Sequence, residues 1–121
     1  MRSPDASTTV TRYLDALAAH DWDALVRTLA PAVVRIGPYG DVFEGAEPYA
    51  AFLRGTVEAL SGYALVVERL VAGDATVVAE LNETVDDRAG RLRTHEAVVF
   101  DVREGLITRV AVYLRTPVFE E

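Results

Sequence analysis

The chain contains no cysteine, which excludes disulfides, thiolate nucleophiles and zinc–thiolate centres together. Histidine is scarce too: His20 and His95 are the only two, and they stand too far apart in the sequence to suggest a metal cluster. No segment approaches the ~20 apolar residues of a membrane span. The opening Met1-Arg2-Ser3-Pro4-Asp5 has no apolar leader core. The expected location is therefore cytoplasmic, with no membrane contact. Runs of Lys and Arg are missing as well. Twelve basic residues face nineteen acidic ones, for a net charge of −7, and without a basic patch or a basic-aromatic strip nucleic acid is not an expected partner. Nothing in the residue inventory calls for a cofactor.

What is present is ordinary globular material. Apolar residues make up 50% and charged residues 26% of 121 positions, enough to bury roughly two-thirds of the unfolded surface in one domain spanning residues 1–121. Val10, Tyr13, Leu14, Leu17 and Ala18 recur at three-four spacing, so Thr8 to His20 reads as an amphipathic helix capped by Ser7 or Thr8. Asp21 offers a second N-cap, followed by Trp22, Leu25, Val26 and Leu29 on one face until Pro31 forbids continuation. Ala32 to Ile36 is β-rich, Gly37-Pro38-Tyr39-Gly40 is turn chemistry, and Asp41 to Glu44 returns as a short partner strand. Pro48 suits the first turn of a third helix, with Tyr49, Phe52, Leu53, Val57 and Leu60 on one face and Ser61-Gly62 at its end.

Four long strands follow: Tyr63–Ala72, Ala75–Asp86, Arg91–Arg103 and Leu106–Thr116. The connections between them are short, which makes neighbours antiparallel and the segment a meander.

Arg12-Tyr13-Leu14-Asp15-Ala16-Leu17, His20-Asp21-Trp22-Asp23-Ala24-Leu25 and Phe43-Glu44-Gly45 before a helix carry a family likeness. The chain resembles the nuclear transport factor 2-like superfamily, in its branch of ketosteroid isomerase and SnoaL-like polyketide cyclases. The resemblance covers nearly the whole chain in element order. It implies an α+β fold: a cone-shaped, curved antiparallel sheet wrapped around three N-terminal helices, the cystatin-like α+β barrel, often dimeric. Function transfers less well than fold, because the superfamily hosts isomerases, cyclases, hydrolases, dehydratases and non-catalytic proteins.

The resemblance puts Tyr13 where ketosteroid isomerases keep an oxyanion-binding tyrosine. It puts Gly37 on their general base, Val98 on their neutral acid, and Val110 and Val112 on the polar pair of the cyclases. None of these four side chains can move a proton, so the mechanisms usual in the family are disfavoured. A Δ5-3-ketosteroid is expected not to be isomerised appreciably.

Alternation along the strands then sorts the remaining polar groups. With Val98 inside, Thr94, Glu96 and Phe100 share its face, and the turn at Asp87–Gly90 pairs Glu83 with Thr94 and Leu81 with Glu96. Glu83 and Glu96 become diagonal neighbours, and Arg35 faces inward by the same counting from Gly37. The expected inner set is Tyr13, Glu96 and Glu83 as catalytic candidates. Arg35, Phe52, Thr94, Val98, Phe100, Val110 and Val112 would surround a small apolar molecule, with Tyr39 a lid or a simple turn residue. One reading makes Glu96 or Glu83 a general base with a raised pKa, Tyr13 an oxyanion donor and Arg35 an anion holder. The other makes Arg35 and a glutamate a plain ion pair.

A one-residue slip would instead turn Glu80 and His95 inward. His95 is expected outward opposite Asn82, His20 at a surface corner, Trp22 as a core anchor and Asp86-Asp87 as a solvated turn with no metal. The outer face carries Val78, Ala97, Val99, Ala111 and Tyr113 among polar groups, so a homodimer through that face is expected. A non-catalytic ligand-binding or dimerisation module of the same fold remains the alternative to an isomerase, cyclase or lyase acting on an apolar oxygenated substrate without a cofactor.

Overall fold

The computed structural model describes residues 4–120, so Met1, Arg2 and Ser3 of the leader reading lie outside the described residues. Helix α1 covers Ala6–Ala18, starting earlier than the apolar stripe implies. Its cap is Asp5, whose carboxylate accepts from the Thr8 backbone N–H at 2.8 Å, rather than Ser7 or Thr8. Helix α2 is a single short piece, Trp22–Val26, and Asp21 caps it through the Ala24 N–H at 3.1 Å. Between the two helices His20 takes a left-handed φ of 55°, which lets the chain turn the corner.

Strand β1 (Leu29–Ile36) and the short β2 (Val42–Glu44) form the early hairpin, and α3 (Ala46–Glu58) follows. Pro31 stands inside β1, where a register irregularity between Leu29 and Val34 accommodates its missing N–H. The meander is β3 (Ala64–Ala72), β4 (Thr76–Asp87), β5 (Gly90–Arg103) and β6 (Leu106–Leu114). A further two-residue strand, β7 (Val118–Phe119), runs along β5 opposite Leu92 and Arg93.

The architecture is mixed α+β, with N-terminal helices against a curved sheet ordered β2-β1-β6-β5-β4-β3. Strands β2 and β3 end that order without pairing to each other, so the cone is not closed into a barrel. One ladder departs from the antiparallel expectation: β1 runs parallel to β6, with Arg35 opposite Val110. The whole meander separates these two strands, so no tight turn dictates their direction. The β4–β5 register agrees with the sequence reading throughout: Asp86 faces Arg91, Glu83 faces Thr94, Leu81 faces Glu96 and Ala79 faces Val98.

Helix α1 lies in the concavity against β3, β4, β5 and β6. Its Val10, Tyr13, Leu14 and Leu17 are buried with Val77, Ala79, Leu81, Val98, Phe100 and Val110 from the inner sheet face. Phe100, Val77 and Val110 are almost wholly inaccessible. Removing one such aromatic costs about 3–5 kcal/mol, so this layer holds the helix and sheet at a fixed separation. No helix among the described residues is long and apolar enough to cross a membrane.

Candidate functional site

Side chains from helices α1 and α3 and from strands β1, β3, β4, β5 and β6 enclose a cavity of about 50 Å³ in the concave core. Tyr13, Arg35, Glu83, Glu96, Val98, Phe100, Val110 and Val112 all line it, as alternation and the family likeness together placed them. Three expected residues do not. Phe52 stacks on Phe43 with centroids 4.3 Å apart and lies under the Arg35 guanidinium, 4.9 Å from ring centre to Cζ. Thr94 shares the inner face opposite Glu83 but stands outside the lining. Tyr39 is 83% exposed and borders a groove with Arg109, Ala111 and Tyr113 instead, as a turn residue does.

Glu96 is the most perturbed carboxyl of the cavity. Removal from water raises its pKa to about 10; the hydrogen bond and charge of Glu83 push the same way, and Arg35 opposes them. Its Oε2 is buried without a hydrogen-bond partner. Glu96 is therefore a neutral acid near pH 7. Glu83 accepts a hydrogen bond from the Tyr63 hydroxyl on Oε2. Glu83 thus stands beside the raised Glu96 carboxyl, and like charges at close range oppose ionisation of Glu96.

Across the cavity Tyr13 and Tyr49 share a hydroxyl–hydroxyl bond. Burial raises Tyr13 well above the usual phenol range and Tyr49 to about 12, so both remain protonated donors. Arg35 does not form the ion pair with a glutamate that the second sequence reading allowed. It is paired with Asp41, Nη1 to Oδ2 at 3.1 Å, and its guanidinium stays beside the Tyr49 and Phe52 rings. Glycine at position 37 makes that pairing possible. A Cβ there would collide with the Asp41 carboxylate, which occupies the space that a side chain at 37 would fill. The Asp41 carboxylate, four residues downstream and committed to Arg35, thus fills the space beside Gly37.

Sequence reasoning missed three participants. Tyr49 was visible only as one residue of an apolar helix face, Tyr63 as a strand start, and Asp41 as hairpin material. A buried tyrosine hydroxyl needs a partner, and that requirement is the one signal that could have drawn attention to Tyr49 and Tyr63. The remaining candidates fall where the sequence put them. His95 faces outward opposite Asn82, 3.7 Å from Glu68. Trp22 packs partly buried against the core and donates to Glu58. Asp86 pairs with Arg91 at 2.8 Å and Asp87 accepts from the Ala89 N–H. Among the described residues no group of three or more His, Asp or Glu converges as a metal site.

A family model described as a SnoaL-like domain matches residues 10–110. No curated protein matches the sequence. Solved structures do. A candidate ketosteroid isomerase from Kribbella flavida superposes with a TM-score of 0.81 at 24% identity, over 94% of this chain and 79% of that one. A candidate SnoaL-like polyketide cyclase from Jannaschia sp. CCS1 gives 0.81 at 21%, covering 94% and 90%. An LEH-like epoxide hydrolase from M. tuberculosis gives 0.77 at 24%, covering 89% and 80%. At these identities the shared property is the fold, one that carries isomerase, cyclase and epoxide hydrolase descriptions alike.

Proposed function

The chain belongs to the SnoaL-like domain family, and from that premise we propose that it is a cofactor-independent small-molecule enzyme. The reaction would move a proton on an apolar, oxygenated substrate, as in isomerisation, cyclisation or elimination. The observation that carries the proposal is Glu96: a buried carboxyl beside Glu83, with its Oε2 unpartnered among apolar walls. An unsatisfied buried acceptor costs about 1–3 kcal/mol, a strain that a substrate donor would relieve.

In this reading the neutral Glu96 donates its proton to a substrate oxygen or leaving group, and the adjacent Glu83 carboxylate takes a proton from the substrate's carbon or hydroxyl. A second transfer between the glutamates restores the starting state. The Tyr13–Tyr49 pair, with Arg35 behind it, supplies donors for a developing oxyanion. Two interacting carboxyls with opposed protonation states can serve as acid and base at one pH.

The cavity's volume sets a condition. About 50 Å³ is room for a water or two, whereas small-ligand pockets run to roughly 300–1,000 Å³. Substrate binding therefore requires side chains such as Leu17, Leu53 and Leu65, which line the cavity, to give way. The same small volume favours the second reading, a non-catalytic module with a filled core.

Methyl-labelled spectra recorded during titration with a panel of small ketones, epoxides and hydroxy-ketones distinguish the two. The enzyme reading expects shifts at Val98, Val112 and Leu53 that Val112→Phe abolishes. It also expects turnover of the binding compound to be lost in Glu96→Gln while the fold is kept. Saturating concentrations that move none of these methyls would leave only the filled core.

The protein is further proposed to act as a homodimer. Exposed Val66, Val71 and Tyr113 support this reading, since they share the outer sheet face with half-buried Val78 and Val99.

A further inference from the structure

Tyr63 does not line the cavity, yet it hydrogen-bonds one of the residues that does. It sits between Gly62 and the first residue of β3, half-buried, with its hydroxyl donating to Glu83 Oε2. The segment holding it is fastened at two points: Arg91 Nη1 donates to the Gly62 carbonyl at 2.9 Å, and the Asp86 N–H to the Ser61 carbonyl at 2.7 Å. Its ring is flanked by His20, centroids 5.8 Å apart, and His20 in turn stacks on Trp22 at 6.0 Å. The phenol is thus aimed by backbone and ring contacts that do not depend on the glutamates.

The donors around the acid–carboxylate pair can be counted. From α1 and α3, the Tyr13 and Tyr49 hydroxyls engage each other. From β1, Arg35 is engaged with Asp41. From β5, Glu96 supplies the proton it shares with Glu83. His20 faces the Tyr63 ring rather than the carboxyls. Tyr63 is the side chain whose hydroxyl is seen donating to Glu83. A phenol hydroxyl donates more strongly to a carboxylate than to a protonated acid. Burial and the negative charge of Glu83 hold that phenol above its ordinary range, so it stays protonated near neutral pH.

We propose that Tyr63 is a positioning residue of this pair: by donating to Glu83 it fixes that carboxylate as the acceptor and so assigns the shared proton to Glu96. The inference rests on the acid–base reading of the site and adds its direction. Without the phenol the two carboxyls are near-equivalent, and the proton distributes between them. With it, the acid is the glutamate whose second oxygen is unpartnered.

The experiment follows the side-chain carboxyl carbons of Glu83 and Glu96 by NMR in glutamate-labelled protein between pH 5 and pH 9, assigned with Glu83→Gln and Glu96→Gln. In wild-type protein at pH 7 the Glu96 carbon is expected at the protonated position and the Glu83 carbon at the ionised one. In Tyr63→Phe, which keeps the ring, both carbons are expected at intermediate positions, with Glu96 occupancy falling toward roughly half. Unchanged backbone spectra away from β3–β5 report that the fold is kept, and Tyr63→Leu, which also lacks the hydroxyl, must reproduce the change. If Tyr63→Phe and Tyr63→Leu both keep the wild-type positions, Tyr63 is structural and the inference is overturned while the acid–base reading stands. A wild-type Glu96 already ionised at pH 7 overturns both.

Discussion

At the scale of single residues, position 37 shows how one missing side chain reorganises a site. Gly37 is not in the left-handed region, so alanine is tolerated by the backbone, but its methyl would meet the Asp41 carboxylate. Gly37→Ala is therefore expected to expel Asp41, leaving Arg35 buried without its partner at a cost of about 1–3 kcal/mol. In the presence of Asp41→Ala the same substitution should cost little, because the clash and the ion pair have both gone. Denaturant unfolding of the four proteins of that cycle reads the coupling; additive costs would show that the glycine matters for another reason.

Alternation counted from Val98 and Gly37, which the family likeness had placed, was enough to find Arg35, Glu83 and Glu96, because strand geometry fixes the face of every second residue once one residue is placed. Asp41 was not legible: it reaches Arg35 from the mouth of an irregular turn, where no periodicity operates. Nor were the hydroxyl partners of Tyr49 and Tyr63, since a tyrosine on an apolar face looks the same in sequence whether its oxygen is buried or wet.

At the scale of elements, the meander was readable because short turns dictate both direction and register, down to Glu83 opposite Thr94. The parallel β1–β6 ladder was not, because strands distant in sequence carry no local signal of their adjacency. Helix ends moved by a turn's fraction for a comparable reason: the Asp5 cap competes with Ser7 and Thr8, and all three are good caps.

The outer face of the sheet supports one expectation at this scale. Val99 lies between Val78 and Ala111 on it. Val99→Glu should convert the proposed dimer to monomer with the fold intact, as read by sedimentation equilibrium and circular dichroism. A wild-type protein that is monomeric across micromolar concentrations would remove the proposal, and the apolar residues of that face would need another explanation.

At the scale of the whole molecule, the buried acid couples the site to stability. A glutamate whose folded pKa is raised to about 10 keeps its proton in the folded state while the unfolded chain releases it above the ordinary value near 4. The contribution to stability is then fully present below that ordinary value and is lost progressively as pH rises toward 10, by about 1.4 kcal/mol per pH unit at most. Glu96→Gln removes the titration. The folds of this family differ in chemistry while sharing a concave core, and stability given up at one carboxyl is the kind of local cost that a functional site carries and a filled core has no reason to keep.

The central claim, that Glu96 is a neutral acid held beside Glu83 rather than half of an ion pair with Arg35, is tested most directly by the unfolding free energies of wild type and Glu96→Gln at pH 5 and pH 8. The account expects the two proteins to lie within about 1 kcal/mol of each other at pH 5 and the Gln variant to be clearly the more stable at pH 8, because it has no proton to retain. A Gln variant that is less stable at pH 8 than wild type, by more than at pH 5, would mean that the ionised carboxylate stabilises the fold, and the acid–base account of this cavity would be contradicted.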